Sequence, residues 1–480
     1  MTNVVEAAIA ESLNSPHSKY ETIEQIKDAA ATLHQTHACT LCILRFLQIA
    51  HGPVYQDQDT QLYEQLGLSA PQPDKLPCPV CLGILSNDVA RQIAEKYTAQ
   101  EFDAQQVTLG IEVPKSIYVR HRSMQIFCST NIALTSIQDV VDVKDTLKYM
   151  VAQQLANHSV TVVAECDTQI DIAFAHPESA PDCQFLVDRA NSATASRVAI
   201  VTKLTACTDA EFTAHFTCPP PPITTRANIS VSTKRASIFV GGRYLKLERN
   251  ISQTPFIVEG RRVTEHSVSE IIGAPLQQLT KCDSYNMVGS GREDADVRML
   301  GDGRPFYIEC INPRRICTLD ADICEIERTL STTNSPVQAR RLQVIRAQDT
   351  AIIKEGEENK TKHYCALVWF AHELSQEKLA EINELGKHEI VLEQKTPVRV
   401  LHRRAPLTRP RKLLALAIEH IEGCFYRVRI ESEAGTYIKE FVHGDLGRTV
   451  PSLAGLADTP ADIFELDVEC VSLDFPPAVI

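Results

Sequence analysis

Residues 289–301 read Gly289-Ser-Gly-Arg-Glu-Asp-Ala-Asp-Val-Arg-Met-Leu-Gly301. Four charged side chains fall within five positions of this run: Arg292, Glu293, Asp294 and Asp296. Buried carboxylates need partners and glycines weaken regular structure, so the run is not an ordinary core element. Its composition leaves two interpretations, which are a solvated charged turn and a loop that presents a carboxylate from unusual backbone geometry.

A family resemblance favours the second interpretation. The order Arg-x-Asp-x-x-Val-(Arg/His)-x-Leu-Gly resembles the catalytic loop of pseudouridine synthases, and the longer pattern Gly-Arg-Glu-Asp-x-Asp-Val-Arg-x-Leu-Gly is more specific. In that superfamily the Asp is the indispensable residue. The resemblance therefore implies that Asp294 is a catalytic carboxylate.

Length and composition indicate a multidomain globular protein. A chain of 480 residues is expected to hold two or three domains, and 44% hydrophobic with 23% charged residues is ordinary. No apolar run approaches membrane-span length. The segment Met1–Ser15 contains no Lys or Arg, which argues against a signal or transit peptide. Sixteen scattered cysteines predict reduced thiols in the nucleus and cytoplasm.

The net charge of −13 is unevenly spread, since residues 231–480 contribute −3 and residues 1–230 contribute −10. The stretch Gln394–Lys412 contains no acidic residue and seven bases. These bases are Lys395, Arg399, Arg403, Arg404, Arg409, Arg411 and Lys412. Because screening weakens distant charges beyond about 8–10 Å, such a stretch can bind phosphates despite the acidic total.

Periodicity predicts a mixed α+β chain without a regular βαβ repeat. The predicted helices are Glu21–Leu33 and Val143–Ala156, and the predicted strands are Val160–Ala164, Val198–Thr202, Ser237–Tyr244, Pro305–Ile311, Tyr364–Phe370 and Cys424–Glu431. The run Cys218-Pro-Pro-Pro-Pro222 can neither continue a helix nor donate to a β-ladder. We take it as the start of a linker and as the main domain boundary.

Two Cys-x-x-Cys pairs, Cys39/Cys42 and Cys78/Cys81, predict a metal site. Four thiolates complete a closed tetrahedral zinc site with no open position, so the predicted role of zinc is structural. The 35 residues between Cys42 and Cys78 exceed the spacing of compact zinc ribbons. The alternative is a redox motif or unpaired structural cysteines.

Uridine isomerisation, the reaction that the resemblance implies, is redox-neutral and requires no organic cofactor. It requires an ionised carboxylate, and Gly435-Thr-Tyr-Ile-Lys-Glu440 offers Lys439 as its partner on the first turn of a helix that Thr436 can cap. This hexamer resembles the Gly-Thr-Tyr-Ile-Arg motif of TruB-like synthases, with Lys in place of the paired Arg. By the same resemblance Tyr364, in Lys362-His-Tyr-Cys-Ala-Leu-Val-Trp369, stacks on the target base. Tyr437 is implied to line the uracil pocket and Arg292 to fill the gap left by the flipped nucleotide.

Together the motifs resemble the archaeal and eukaryotic tRNA pseudouridine synthases of the tenth Pus type. The anchors include Ile238-Phe-Val-Gly-Gly-Arg-Tyr244, Gln253-Thr-Pro255, Gln394-Lys-Thr-Pro-Val-Arg-Val-Leu-His-Arg-Arg404 and Asp445-Leu-Gly-Arg-Thr449. The resemblance implies a four-cysteine zinc module (1–95), a THUMP-like α/β RNA-binding region (96–217), a Pro-rich linker (218–236) and a catalytic domain (237–480). The catalytic domain would be a mixed, mostly antiparallel sheet with flanking helices.

The implied substrate is uridine 55, with uridine 54, in the T arm of tRNA. A basic thumb loop would contribute phosphate contacts from Lys395, Arg403, Arg404, Arg409 and Arg411. We expect a monomer that binds tRNA and other structured RNA but no membrane. Two alternatives remain: an RNA-binding scaffold, for instance in microRNA processing, and a zinc-ribbon adaptor that binds protein.

Overall fold

The computed structural model describes residues 22–49, 63–69, 76–132, 140–187, 195–316, 319–332, 334–402 and 404–477, apart from the side chains of 356–359. The chain divides into two compact units, Met1–Arg235 and Ala236–Ile480. Among the described residues, none of the helices combines the length and the hydropathy of a membrane-spanning segment.

The first unit combines helices with a four-stranded sheet. Its helices are α1 (Ile23–His34), α2 (Thr40–Phe46), α3 (Asn87–Thr98), α4 (Ser116–Asn131), α5 (Val143–Ala156), α6 (Arg197–Ala206) and α7 (Asp209–His215). Its strands are β1 (Gln106–Glu112), β2 (Thr161–Val162), β3 (Thr168–Ala175) and β4 (Asn228–Arg235). The strand order is β2-β1-β3-β4, with β1 parallel to both neighbours and β3 antiparallel to β4.

One continuous core runs through this unit, from Ile26 on α1 to Ile223. Helix α3 crosses the predicted border between residues 95 and 96, and its buried face belongs to that same core. The cysteine pairs and the residues that follow them are therefore parts of one packed unit.

Two predicted helices of this unit are present. Helix α5 has the predicted bounds, and α1 begins at Ile23 because the Thr22 hydroxyl accepts a hydrogen bond from the Gln25 amide. The strand predicted at 160–164 is shortened to Thr161–Val162.

Two other predictions are wrong. The strand expected at 198–202 lies within helix α6, which Ser196 caps and whose buried residues, Ile200 and Leu204, are four positions apart. The expected linker 218–236 is only partly a linker, because its end forms β4. There Ile229 and Val231 alternate with exposed residues and pack on the core.

Among its described residues the second unit has twelve strands, ten of which form one large sheet. Its strands are β5 (Ile238–Lys246), β6 (Ile257–Val258), β7 (Arg261–Arg262), β8 (Ser284–Gly289), β9 (Arg298–Ile311), β10 (Val337–Ile345), β11 (Lys362–Phe370), β12 (Ile390–Lys395), β13 (Thr408–Glu422), β14 (Phe425–Ser432), β15 (Thr449–Val450) and β16 (Ala461–Val471). Its helices are α8 (Val268–Thr280), α9 (Leu319–Thr332), α10 (Thr350–Asn359), α11 (Gln376–Leu385), α12 (Ile438–His443) and α13 (Leu453–Leu456).

The strand order in the large sheet is β10-β5-β9-β16-β11-β14-β13-β12-β15, with β8 paired to β9. The pairing is antiparallel apart from β9 with β16, which agrees with the predicted mixed, mostly antiparallel sheet. Strand β14 shows the predicted alternation, since Tyr426, Val428 and Ile430 are buried. The predicted mixed α+β fold is thus confirmed.

Three connections meet at the centre of this sheet. Loop 290–297 joins β8 to β9, and arm 396–407 joins β12 to β13. The turn 433–437 leads from β14 into α12. Strand β11 lies between β14 and β16, so that Tyr364 is opposite Ile430 on one side and Val468 on the other.

Candidate active site and candidate metal centre

A buried carboxylate within loop 290–297 holds the loop in place through hydrogen bonds. Glu293, which is 6% exposed, accepts hydrogen bonds from the Tyr244 hydroxyl at 2.9 and 2.8 Å and from Arg304 Nε at 2.8 Å. Gln253 Nε2 donates to the Tyr244 hydroxyl and to the Gly291 carbonyl, both at 3.0 Å. Burial and the charge of Glu293 raise the pKa of Tyr244 well above its usual value. The phenol therefore stays protonated and serves as a donor.

A buried lysine ties the backbone of the loop to that of a neighbouring segment. Lys246 Nζ donates to the carbonyls of Ile251 at 2.8 Å, Asp294 at 2.9 Å and Ala295 at 3.2 Å. Burial lowers the pKa of Lys246 to about 8. Gly291 has φ +81°, and a Cβ there would lie 2.9 Å from Lys362 Nζ. The loop thus requires glycine at this position.

Asp294, in the same loop, lies between two cations. Its Oδ2 lies 3.0 Å from Arg399 Nη1 and 3.4 Å from Lys439 Nζ. The predicted Lys439–Asp294 ion pair is therefore present, but Lys439 lies closer to Asp296, at 2.6 Å. Arg399 on the arm makes the shorter contact with Asp294.

The two cations are themselves held by further carboxylates. Arg399 Nε donates to Glu440 Oε1 at 2.7 Å, and the Glu440 side chain is 2% exposed. Burial raises the pKa of Asp296, but the hydrogen bond and the charge of Lys439, together with the charge of Lys246, lower the pKa overall. The site is therefore an alternating network of three carboxylates and two cations.

A cavity of about 920 Å³ opens over this network. Eight of the predicted site residues line it: Arg292, Asp294, Tyr364, Arg404, Arg409, Arg411, Tyr437 and Lys439. Lys395 is exposed on β12 and is not among the lining residues. Arg403 lies outside the described residues.

Two tyrosines contribute ring surface to the cavity. Tyr364 comes from β11, and burial raises the pKa of its hydroxyl. The backbone of Tyr437 exchanges two hydrogen bonds of 3.0 Å with the Gln394 side chain, and Arg404 Nη1 lies 3.2 Å from its hydroxyl. Tyr437, not Thr436, occupies the N-cap position of α12, because the Thr436 hydroxyl donates to the Glu433 carbonyl. The cavity can enclose a planar ring next to a carboxylate.

Sequence reasoning misses the residues that hold Asp294 and its loop. The sequence places Arg399 in the basic stretch without a role of its own, and Glu440 only at the end of a motif. A signal for Glu440 does exist, because a carboxylate in Ile438-Lys-Glu-Phe-Val-His443 falls on the buried face of the helix. Nothing in the spacing of Lys246, Glu293 and Arg304 shows that they meet.

The four cysteines of the two pairs converge in the first unit. Each offers a sulfur, and the four sulfurs of Cys39, Cys42, Cys78 and Cys81 lie within 4.8 Å of one another. Cys39 is the N-cap residue of α2, which places Cys42 on its first turn. The Cys39 and Cys81 sulfurs are 3.8 Å apart, and the Cys39 amide donates to the Cys78 sulfur at 3.3 Å. This buried set of thiols can hold a metal ion.

A buried arginine lies beside the cysteine cluster. Arg45 is fully buried on α2, and its Nη1 lies 3.6 Å from the Cys42 sulfur. Its Nε donates to the Val141 carbonyl at 2.7 Å, and its Nη2 lies 3.3 Å from His121 Nδ1. Burial and the charge of Arg45 lower the pKa of His121 to about 3, so this imidazole is neutral. A cation next to the thiols offsets the negative charge of a metal–thiolate centre.

Comparison with known proteins gives two family matches and relatives that cover most of the chain. The family "Pus10, C-terminal" matches residues 239–472, and "Eukaryotic Pus10, N-terminal" matches residues 78–231. The chain is 35% identical over 431 residues to the mouse protein named tRNA pseudouridine synthase Pus10, covering 85% of this chain and 81% of the mouse protein. The chain belongs to the Pus10 family. This confirms the predicted family and the predicted enzyme class, because the relatives are named tRNA pseudouridine synthases, which are isomerases.

The likeness extends over nearly the whole chain. The Xenopus laevis protein of the same name is 32% identical over 513 residues, covering 95% of this chain and 99% of that protein. A solved Cbf5-Nop10-Gar1 complex matches 47% of this chain and 47% of the solved chain at 17% identity, with a TM-score of 0.27. That score is too low to carry an argument about this chain.

Proposed function

We propose that the chain isomerises uridine to pseudouridine in tRNA, with Asp294 as the essential carboxylate. The observation that carries this proposal is the position of Asp294 at the floor of a cavity of about 920 Å³ that Tyr364 and Tyr437 also line. Two cations, Arg399 and Lys439, lie 3.0 and 3.4 Å from Asp294 Oδ2 and hold the carboxylate in place. An ionised carboxylate next to an enclosed planar base is what breaking and re-forming a glycosidic bond requires.

The proposed target is the T arm, at uridine 55 together with uridine 54. Arg404 and Arg409 lie at the cavity wall and are exposed, so they can contact phosphates of a docked stem. The base enters the cavity only when it leaves its helical stack, and Arg292, also exposed at the rim, is suited to fill the gap. The relatives named tRNA pseudouridine synthase support this substrate class.

In the first unit we propose a structural zinc ion held by Cys39, Cys42, Cys78 and Cys81. Four sulfurs about 2.3 Å from a tetrahedral zinc ion lie roughly 3.8 Å from one another. The observed sulfur positions fit this geometry, and the neighbouring Arg45 supplies a counter-charge. A redox pair would use two thiols and would leave the other two unexplained. The mixed sheet of this unit is proposed as a THUMP-like RNA-binding accessory region.

The decisive experiment incubates purified full-length chain with unmodified tRNA and maps pseudouridine along the product. Pseudouridine at position 55, with or without position 54, would support the proposal. A matched tRNA in which both T-arm uridines are replaced by cytidine should remain unmodified. If wild-type protein binds tRNA and forms no pseudouridine, the scaffold alternative is favoured. If it neither binds nor modifies tRNA, the adaptor alternative is favoured.

A further inference from the structure

We infer that Arg399 is the residue that positions the reacting carboxylate, and that it couples the docking arm 396–407 to the chemistry. The inference rests on the proposed function, because it assigns a role relative to Asp294. Arg399 lies in a short 3-10 segment, Val398–Val400, within the arm. Its guanidinium spans two carboxylates, with Nη1 at 3.0 Å from Asp294 and Nε at 2.7 Å from Glu440.

Because Glu440 is buried, its ion pair with Arg399 fixes the orientation of the guanidinium. Its side chain is 2% exposed, and among the residues that the structure describes its Oε2 has no hydrogen-bond partner. A buried carboxylate is costly unless a cation pairs with it, so Glu440 strongly favours the position that Arg399 occupies. Glu440 thus clamps one edge of the guanidinium, and the planar group directs its other edge at Asp294.

Lys439 does not duplicate this role. It contacts Asp294 at 3.4 Å but is committed to Asp296 at 2.6 Å. Both cations contact the same oxygen of Asp294, Oδ2. We propose that Arg399 fixes the carboxylate through Oδ2 and presents Oδ1 to the substrate.

The arm that carries Arg399 also carries a docking residue. Arg404, five residues further along, contacts the Tyr437 hydroxyl at 3.2 Å. The Thr396 hydroxyl closes the base of the arm by donating to the Ala405 carbonyl at 2.7 Å. Any movement of the arm during RNA docking therefore moves the guanidinium that holds Asp294. Substrate docking and carboxylate orientation are linked through one segment.

The test compares single-turnover pseudouridine formation at saturating protein for wild type, Arg399→Gln and Arg399→Lys. Loss of a charge-assisted hydrogen bond predicts a rate roughly 10- to 100-fold lower for Arg399→Gln, with a much smaller change in tRNA affinity. Arg399→Lys should give an intermediate rate, because an ammonium can satisfy one of the two carboxylates but cannot bridge both. Adding Lys439→Arg to Arg399→Gln should restore part of the rate by supplying a guanidinium from α12.

The matched control is Arg427→Gln. Arg427 is 42% exposed and Arg399 is 40% exposed, so the two substitutions remove equally accessible guanidinium groups, but in the part of the chain that the structure describes Arg427 pairs with the exposed Glu419 at 3.0 Å and with no group of the cavity. The control should keep the wild-type rate, and thermal unfolding should show that both variants are folded. If Arg399→Gln weakens tRNA binding but matches the control in saturating rate, Arg399 is a phosphate contact and the inference is wrong. If wild-type protein forms no pseudouridine, the proposed function fails and the inference fails with it.

Discussion

The cysteine cluster takes its four sulfurs from two short segments of the chain, whereas the charges around Asp294 come from three segments that are far apart in the sequence. In the cluster, all four predicted ligands converge within 4.8 Å. In the cavity, the predicted pair of Asp294 and Lys439 is present at 3.4 Å, but the shorter contact to Asp294 comes from Arg399, 105 residues away. Two close pairs of cysteines predict by their spacing a cluster that can hold a metal ion. A network of ordinary charges is specified only by the fold that brings its members together.

The substitution Asp294→Asn should give the largest difference between the two regions, because it affects the chemistry of the cavity and not the cysteine cluster. The substitution is nearly isosteric and removes the carboxylate while the loop anchors Glu293 and Lys246 remain. Isomerisation should fall by at least about 10³-fold, which corresponds to roughly 4 kcal/mol of barrier. Affinity for tRNA and the content of metal should stay close to wild type. Pseudouridine mapping and equilibrium tRNA binding measure the two effects.

The matched control for this variant is Asp296→Asn. Asp296 is a second carboxylate two residues away, and it contacts Lys439 at 2.6 Å. Its loss should slow the reaction far less than the loss of Asp294, because Lys439 remains available to Asp294. Equal losses in the two variants would mean that the network acts as one unit, and the assignment to Asp294 alone would be wrong.

The reverse experiment is Cys42→Ser, which should affect stability and leave the chemistry of folded molecules intact. Cys42 is fully buried in the core of the first unit. Closed zinc sites contribute directly to folding, so that unit should lose roughly 3 kcal/mol or more of unfolding free energy. Elemental analysis should find one zinc ion per wild-type chain and substoichiometric zinc in the variant. Denaturant unfolding gives the free-energy change.

Cys166→Ser is the appropriate control for the cysteine variant. Cys166 is a half-buried cysteine of the same unit, outside the cluster, and its substitution should change neither zinc content nor stability appreciably. Freshly purified wild-type protein without zinc, prepared without chelators, would contradict the metal assignment.

The fold is predictable where burial follows a simple period. Strand β14 alternates buried and exposed residues, and α5 has a capped start at Asp142, so the sequence predicts both. The segment 197–206 misleads the prediction because its run of β-branched residues is typical of a strand. Its buried residues nonetheless follow the period of a helix. Strand β4 is hidden by the four prolines that precede it.

Site residues that belong to a recognisable motif can be predicted from the sequence. Residues that act only by holding another side chain in place cannot. Motifs lead to Asp294, Tyr364 and Lys439, all of which line the cavity. Glu440 and Lys246 belong to no charge pattern that sets them apart, yet both are buried beside the loop or its cations. Since their partners come from loops that are distant in the sequence, only the folded unit shows that they support the site.

The smallest predicted effect distinguishes the cavity residues that bind RNA from those that take part in the chemistry. Arg404→Ala combined with Arg409→Ala removes two exposed cations from the cavity wall while Asp294 and Arg399 remain. Each phosphate contact releases about one counterion, so the dependence of log affinity on log salt should flatten by roughly 1–2 units. Titrating tRNA binding at several salt concentrations measures this slope. The rate at saturating tRNA should fall far less than in Asp294→Asn.

The control for the docking variant removes the same amount of charge from the same unit. Arg427 and Arg429 lie on β14, outside the cavity lining, and both are near Glu419. Replacing both with Ala should leave the salt slope unchanged, because a base already paired with a carboxylate and distant from the cavity meets no phosphate. If both double variants flattened the slope equally, the long-range field of the unit, and not contacts made by the arm, would govern docking. An unchanged slope in the Arg404/Arg409 variant alone would instead assign RNA docking to the first unit, despite its excess of acidic residues.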